Sequence, residues 1–192
     1  MRKYQNKALE QYRKREPEYK GKGDIIVFVD ESDSTAGEEN AYAMAIAMLL
    51  YQISRINHAN FVLVHFSTEI KVDYFFKDEP VSSQKMLDCA EMFLGGGTDY
   101  ETPLREAFVL AADSRLNKPD MVFITDGECD ISEEFGNLFA EFKADTGAKL
   151  TGILLDGGEH FEFSLQKFAD KIYRTSELLK DEIVKNVISD RV

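Results

Sequence analysis

A single doubly wound α/β domain, with a mostly parallel sheet and helices on both faces, is the architecture that this sequence indicates. Short apolar runs alternate with longer amphipathic stretches along the 192 residues. The runs are almost continuously apolar, which is typical of strands buried on both faces of a parallel sheet. Only residues 67–69 separate the second run from the third. That connection is too short for a crossover helix, so it predicts an antiparallel hairpin at one edge of the sheet.

Six strands are predicted from the apolar runs. They span residues 25–30, 61–66, 70–76, 121–125, 150–155 and 172–174. Six helices are predicted from apolar residues at three- and four-residue spacing. They span residues 38–56, 83–93, 101–116, 133–145, 161–170 and 176–190. The pattern divides the chain into a basic N-terminal helix or arm at 1–22 and one domain at 23–192.

The charge of the chain limits the classes of partner. There are 23 basic and 35 acidic residues and a formal net charge of −12. No nucleic acid is therefore expected as a partner, and no anionic membrane surface, since both need a positive protein surface. Residues 1–22 differ, with eight basic residues against three glutamates, a net charge of +5. This arm has three interpretations: contact with an acidic partner, folding back on the acidic domain, or a solvated terminus.

The cysteine content and hydropathy favour a soluble protein in the reducing cytoplasm. Cys89 and Cys129 are too few for a disulfide framework, and no Cys-x-x-Cys spacing for zinc is present. The first residues lack the apolar segment of a secretory signal. The longest uncharged stretch, at 40–54, is shorter than the roughly 18 apolar residues that a membrane span requires. No membrane span is expected.

Small oxygen-bearing side chains follow the first and fourth predicted strands. The first strand runs into "DESDST", which places Asp30, Ser32 and Ser34 at alternate positions. The fourth ends in "ITDGECD" with Asp126, and a glycine-rich "GGGTD" presents Thr98 just before the third helix. Ligands of open parallel sheets bind at the carboxyl ends of the strands, where successive loops gather. We therefore expect these five side chains to form one site.

Carboxylate and hydroxyl oxygens suit a hard divalent cation, Mg²⁺ first and Mn²⁺ or Ca²⁺ next. A cation held mainly by neutral hydroxyls remains electrophilic and favours an anionic oxygen at an open position. The residues therefore predict a docking site for an aspartate or glutamate of a partner protein. A calcium loop of the EF-hand type is excluded. With Asp30 at its first position, the required glycine and glutamate fall on Thr35 and Ala41.

The same five residues resemble the metal-ion-dependent adhesion site (MIDAS) of von Willebrand factor A (VWA) domains. That family's pattern is DxSxS with a distant Thr and a distant Asp, and every position is filled here. The resemblance covers residues 24–175 and implies that the three hydroxyls bind the metal, while the two carboxylates bind directly or through water. "HFSTEI" and "FLGGGTD" are most similar to the bacterial ViaA/CoxE type. That similarity implies a MoxR-type AAA+ ATPase as the partner.

The chain departs from the family pattern beside the expected site and upstream of it. Asp33 stands where the family often has glycine, and Glu31 adds a second negative charge. The family's helical N-terminal region is replaced by the basic arm, which indicates a small stand-alone relative or an excised domain. We interpret four further acids as caps or surface charge rather than ligands, with Asp99 and Glu128 the nearest to the metal: Asp33, Asp99, Glu128 and Asp130. Cys129 is interpreted as a half-buried bystander, and His65 as a core histidine with satisfied hydrogen bonds.

An enzyme is the alternative to a binding module. A phosphatase of the haloacid-dehalogenase type also places an aspartate after its first strand and uses Mg²⁺. It needs a second aspartate where this chain has Ser32, and a lysine for the phosphoryl group, whereas Lys118 precedes the fourth strand at the wrong end. No GxSxG is present, and no GxGxxG follows the first strand. We therefore predict a binding module without catalytic activity.

Overall fold

The apolar runs of the sequence form the strands of one sheet. The structure is a computed structural model, which describes residues 23–155 and 162–175. Its strands are β1 (Ile25–Asp30), β2 (Phe61–Phe66), β3 (Ile70–Phe75), β4 (Asp120–Thr125), β5 (Leu150–Leu154) and β6 (Lys171–Arg174). All residues of β1 and β2 are buried, because both strands carry apolar side chains on both faces and lie inside the sheet.

Parallel pairing dominates the sheet that the described residues form, whose strand order is β3-β2-β1-β4-β5-β6. β1 pairs in parallel with β2 and with β4, and β5 and β6 continue in parallel beyond β4. β3 is antiparallel to β2 and forms the edge. The predicted mostly parallel sheet with one antiparallel edge strand is confirmed.

The helices of the described residues coincide with the first five predicted helices. They are α1 (Glu38–Ile56), α2 (Ser83–Ala90), α3 (Glu101–Ala112), α4 (Glu133–Thr146) and α5 (Glu162–Gln166). The predicted ends of α2, α3 and α5 were too late in the chain. For α3 the reason is Asp113, whose backbone is extended and whose Oδ1 accepts the N–H of Arg115 in a tight turn.

Two predicted segments lie outside the described residues. They are the basic arm at 1–22 and the helix at 176–190. The division of the chain at residue 23 therefore stays a prediction. Within the described residues, no helix has both the length and the hydropathy of a membrane-crossing segment.

Alternation along the strands divides the core into two layers. Ile25, Val27 and Val29 of β1 pack in the layer that contains α1 and Cys89 of α2. Phe28 packs in the other layer, with side chains from α3, α4 and α5. Successive side chains of a strand point to opposite faces of the sheet. Asp30 therefore points to the same side as Phe28, and Glu31 to the other side.

The amino end of the central strand is held by Asp24, which is buried. Its Oδ1 accepts the backbone N–H of Asn60 at 2.7 Å. Its Oδ2 accepts the side-chain amide of Asn60 at 3.0 Å and the backbone N–H of Asn117 at 2.7 Å. The residues that precede β1, β2 and β4 are thereby joined by one carboxylate.

Candidate metal centre

Asp30 ends β1 at the carboxyl edge of the sheet and is completely buried. Its Oδ1 accepts hydrogen bonds from the Ser32 backbone N–H at 3.0 Å and from Ser32 Oγ at 2.7 Å. Its Oδ2 accepts from Thr125 Oγ1 at 2.6 Å. Burial raises the pKa of Asp30 to about 6, partly offset by the hydrogen bonds from Thr125 and Ser32, and the charge of Asp126 adds to the rise.

Ser32 and Ser34 lie beside this carboxylate because the chain makes a 3₁₀ turn at Asp33–Thr35 directly after β1. Thr35 fixes the turn, since its Oγ1 donates to the backbone oxygens of Asp30 and Ser32 at 3.1 and 2.9 Å. Ser32 Oγ lies 3.0 Å from Ser34 Oγ. The predicted convergence of Asp30, Ser32 and Ser34 is therefore observed.

Asp126 directly follows β4, which pairs with β1. Its side chain is buried, and its Oδ1 accepts the N–H of Glu128 at 3.0 Å. Burial raises the pKa of Asp30 and that of Glu39 at the start of α1, and the charge of Asp126 adds to both rises. The charge of Asp126 therefore acts on a carboxylate of the neighbouring strand at this edge of the sheet.

The glycine-rich loop before α3 packs on the segment that follows β1. The N–H of Gly95 donates to the Glu31 backbone oxygen at 2.9 Å, and Gly96 exchanges hydrogen bonds with Asp33. Gly95 has a φ of +69°, which favours glycine. The loop leads to the half-buried Thr98. Among the hydrogen bonds of the described residues, none joins the Thr98 side chain to the other four predicted site residues.

Thr125 and Tyr100 contribute to the site, although neither was among the predicted site residues. Thr125 Oγ1 donates to Asp30, so it accepts from Tyr100 Oη at 2.6 Å and from the Gly127 N–H at 3.1 Å. Tyr100 is buried, and this burial raises the pKa of its hydroxyl. In the sequence, the only indication of a role for Thr125 was its position directly before Asp126 at the end of a strand.

The expectation for Glu31 was wrong, because its charge does not lie beside the oxygen cluster. Glu31 is completely buried, and its Oε1 lies 2.5 Å from His65 Nδ1. Its Oε2 accepts the N–H of Leu94 at 3.1 Å. Strand alternation sends it to the opposite face from Asp30. His65 was expected to have satisfied hydrogen bonds, yet its buried Nε2 has no hydrogen-bond partner among the described residues.

Of the four further acids, Asp99 acts as a cap, Asp130 pairs with a lysine, and Asp33 and Glu128 are exposed. Asp99 caps the start of α3, because its carboxylate accepts from the Glu101 N–H and from Thr102 Oγ1. Asp33 is exposed and accepts from the Gly96 N–H, and Asp130 pairs with Lys167. Cys129 is half-buried, and its Sγ contacts the backbone oxygen of Thr98 at 3.5 Å.

The oxygen cluster fits a hard divalent cation in donor type and spacing. Adjacent ligand oxygens of an octahedral Mg²⁺ at 2.0–2.1 Å are about 3 Å apart, and Ser32 Oγ lies 3.0 and 2.7 Å from its two oxygen neighbours. Among the described residues, no lysine or arginine forms an ion pair with Asp30 or Asp126. Buried carboxylates without a cationic partner are costly, and a bound cation would supply that partner.

Solved structures with this fold come from several bacteria. A conserved hypothetical protein BatB from Bacteroides thetaiotaomicron has a TM-score of 0.63 and 14% identity, over 88% of this chain and 96% of that one. The PilB minor pilin from Streptococcus sanguinis has a TM-score of 0.65 and 13% identity, over 90% and 63%. A von Willebrand factor type A protein from Catenulispora acidiphila has a TM-score of 0.58 and 17% identity, over 80% and 38%. At these identities the likeness shows the fold.

Two curated relatives come from Methanocaldococcus jannaschii, and both are uncharacterised. MJ0077 is 35% identical over 134 residues, which are 70% of this chain and 33% of the relative. MJ0811 is 24% identical over 168 residues, which are 86% of this chain and 38% of the relative. The chain thus spans about a third of the length of these relatives. Residues 25–128, from the start of β1 to just past Asp126, match the von Willebrand factor type A domain, and the chain belongs to that family.

Proposed function

We propose that this domain is a divalent-metal-dependent protein-binding module of the MIDAS type. Asp30, Ser32, Ser34, Thr98 and Asp126 hold Mg²⁺, or Mn²⁺ or Ca²⁺ in its place, and a partner's aspartate or glutamate completes the coordination. VWA domains are generally interaction modules rather than enzymes, and many bind a divalent metal. The observation that supports the proposal most strongly is the Ser32–Ser34 hydroxyl pair at 3.0 Å beside a buried carboxylate.

Hydroxyl ligands explain why an acidic partner is needed. In the structure Ser32 Oγ donates to Asp30 Oδ1. A hydroxyl that turns its hydrogen away presents a lone pair to a cation without a change in backbone position. Such neutral ligands do not cancel the charge of the ion, so a carboxylate at an open position is favoured.

The phosphatase alternative gains no support. Ser32 occupies the position where a second aspartate is needed, and it hydrogen-bonds to Asp30. Lys118 precedes β4, and the parallel pairing of β1 with β4 puts it at the end of the sheet opposite Asp30. A cation that must stabilise a phosphoryl group cannot act from that distance.

A metal titration tests the site. We expect calorimetry to detect Mg²⁺ and Mn²⁺ binding by the wild type and none by Ser32→Ala/Ser34→Ala. If Kd is about 1 mM, 10 mM Mg²⁺ adds about 1.4 kcal/mol to the free energy of unfolding, or roughly 3–5 °C in Tm.

Ser132→Ala is the matched control, because it removes a serine hydroxyl that caps α4 and is not among the predicted ligands. Loss of this cap lowers stability by about 1 kcal/mol, but the metal-dependent rise in Tm should persist. Equal metal responses in the wild type and the double variant would show that the two serines only cap the turn after β1.

The partner is tested separately, once the metal response is established. A MoxR-type AAA+ ATPase, as the resemblance implies, is the first protein to add to the purified domain, and a cytoplasmic location goes with this assignment. Binding should need Mg²⁺, stop on chelation, and be lost when one acidic residue of the ATPase is changed to its amide. Metal binding without such an effect would keep the cation site and reject this partner.

A further inference from the structure

A second group of metal-binding side chains lies on the opposite face of the sheet from Asp30. His65 of β2, Asp73 of β3 and Cys89 of α2 each offer one ligand atom, and these atoms all lie within 4.8 Å of one another. His65 and Cys89 are buried, and Asp73 is 17% exposed. The three residues belong to three different elements, so only the folded chain brings their side chains together.

His65 Nε2 points into this group without a hydrogen-bond partner among the described residues, although the side chain is fully buried. The nearest oxygen recorded for it, Asp73 Oδ2, is 3.7 Å away, too far for a hydrogen bond. A buried ring nitrogen without a partner costs free energy. A bound cation between Nε2 and Oδ2 would satisfy both atoms.

Glu31 sets the tautomer that a metal requires. Its carboxylate lies 2.5 Å from His65 Nδ1 and is fixed on its other oxygen by the Leu94 N–H. A carboxylate accepts, so Nδ1 carries the hydrogen, and the tautomer with this hydrogen has its lone pair on Nε2. A carboxylate behind the histidine is the usual support of a metal-binding imidazole, because it orients the ring and raises its basicity.

We propose that His65, Asp73 and Cys89 bind a transition-metal ion of borderline softness, Zn²⁺ first, with water as a fourth ligand. Nitrogen, sulfur and carboxylate oxygen together are the ligands of Zn²⁺, whereas Mg²⁺ and Ca²⁺ prefer oxygen alone. Two ligand atoms on a tetrahedral Zn²⁺ are about 3.3–3.7 Å apart, close to the 3.7 Å between Nε2 and Oδ2. The Cys89 thiol loses its proton to solvent on binding.

Lys71 is the cation that now neutralises Asp73, with Nζ 3.2 Å from Oδ2. Its side chain is 42% exposed, so it can leave the carboxylate and stay hydrated. Lys71 therefore competes with the metal. Its removal should tighten binding, an effect that a purely structural role for Asp73 does not produce.

The site would fasten the edge of the sheet to α2. β3 pairs with β2 only and lies at the edge, and in the sequence α2 comes after β3 and before the glycine-rich loop. A metal that joins β2, β3 and α2 therefore steadies the helix from which that loop begins. The proposal does not rest on the Mg²⁺ site, which uses other residues.

Co²⁺ is the probe for this site, because a cobalt–thiolate bond gives a charge-transfer band in the near ultraviolet. The metal-free wild type should bind one equivalent of Co²⁺ with this band, and Zn²⁺ should displace it. Cys89→Ser should lose the band, and its affinity for Zn²⁺ should fall by about tenfold or more. Cys129→Ser, which removes the other cysteine, should keep both, and so should Ser32→Ala/Ser34→Ala.

Two further variants keep the proposal falsifiable if Cys89→Ser folds poorly. His65→Gln should also lose the band, and Lys71→Met, at a half-exposed position, should bind Zn²⁺ about two- to fivefold more tightly. A folded wild type without a thiolate band, or a band that survives in Cys89→Ser, would overturn the proposal. His65 would then be a ring held between two carboxylates, and Cys89 a core thiol.

Discussion

Two buried aspartates stand at opposite ends of the central strand, and each accepts three hydrogen bonds. Asp24 accepts all three from N–H groups, two of them on the backbone. Asp30 accepts one from a backbone N–H and two from the hydroxyls of Ser32 and Thr125. An N–H can only donate, whereas a hydroxyl can also accept or bind a cation. The Asp24 carboxylate therefore has a structural role only, whereas the Asp30 carboxylate can exchange its hydroxyl donors for a metal ion.

The largest effect should come from Asp24→Asn. The new amide must turn its NH₂ toward at least one N–H donor, and the Asn60 side chain cannot flip to help, because its oxygen accepts the Lys77 N–H. Losing charged acceptors of two or three hydrogen bonds should lower the free energy of unfolding by about 3–5 kcal/mol. Urea denaturation at pH 7.5 measures it. A decrease of less than 1 kcal/mol in the free energy of unfolding would contradict the proposed difference between Asp24 and Asp30.

Asp30→Asn should have the opposite sign in the metal-free protein. The new amide can donate to Thr125 Oγ1, since that hydroxyl can in turn donate to Tyr100. The pKa of Asp30 is raised from 3.8 to about 6, so its stabilising contribution is complete below pH 3.8 and is lost as the pH rises to 6. At pH 7.5 the asparagine variant should be more stable by up to about 3 kcal/mol.

The pH dependence distinguishes this cause from a general gain in packing. The advantage of Asp30→Asn should grow between pH 4 and pH 6.5 and disappear near pH 3.5, and thermal melts with a chelator can follow it. The variant should also lose its response to Mg²⁺. An advantage that is independent of pH would mean that ionisation of Asp30 costs little.

The smallest of the three effects should come from Tyr100→Phe. Its hydroxyl donates to Thr125, which donates to Asp30, so removal leaves Thr125 oriented only by Asp30 and the Gly127 N–H. We expect a loss of about 1 kcal/mol and weaker Mg²⁺ binding. Tyr51→Phe, which removes a hydroxyl on the other face, is the control and should leave metal binding unchanged.

The fold and much of the candidate site could be predicted because both depend on local patterns. Apolar runs revealed the strands, and the carboxyl ends of parallel strands gather side chains such as Asp30 and Asp126. Thr125 escaped notice because it appears in the sequence as the last residue of a strand. Its role depends on the register of β4 against β1, which local spacing does not encode.

The His65, Asp73 and Cys89 group could not be predicted for a related reason. Its members lie on separate elements, and no short motif joins them. The absence of Cys-x-x-Cys spacing argues only against zinc sites built from cysteine pairs. The antiparallel pairing of β2 with β3 brings His65 opposite Lys71 and near Asp73, and α2 then adds its cysteine.

The position of β1 between β2 and β4 has a consequence for the order of folding. The β2–β3 hairpin closes across a short turn, whereas the Thr125–Asp30 hydrogen bond joins residues 95 positions apart. Long-range pairings form late, because the entropic cost of closing the intervening loop must be met before the contact contributes any stabilisation. The two ends of the proposed Mg²⁺ site should thus meet after the rate-limiting step. Magnesium should then lower the logarithm of the unfolding rate in proportion to its binding free energy, and it should leave the refolding rate unchanged.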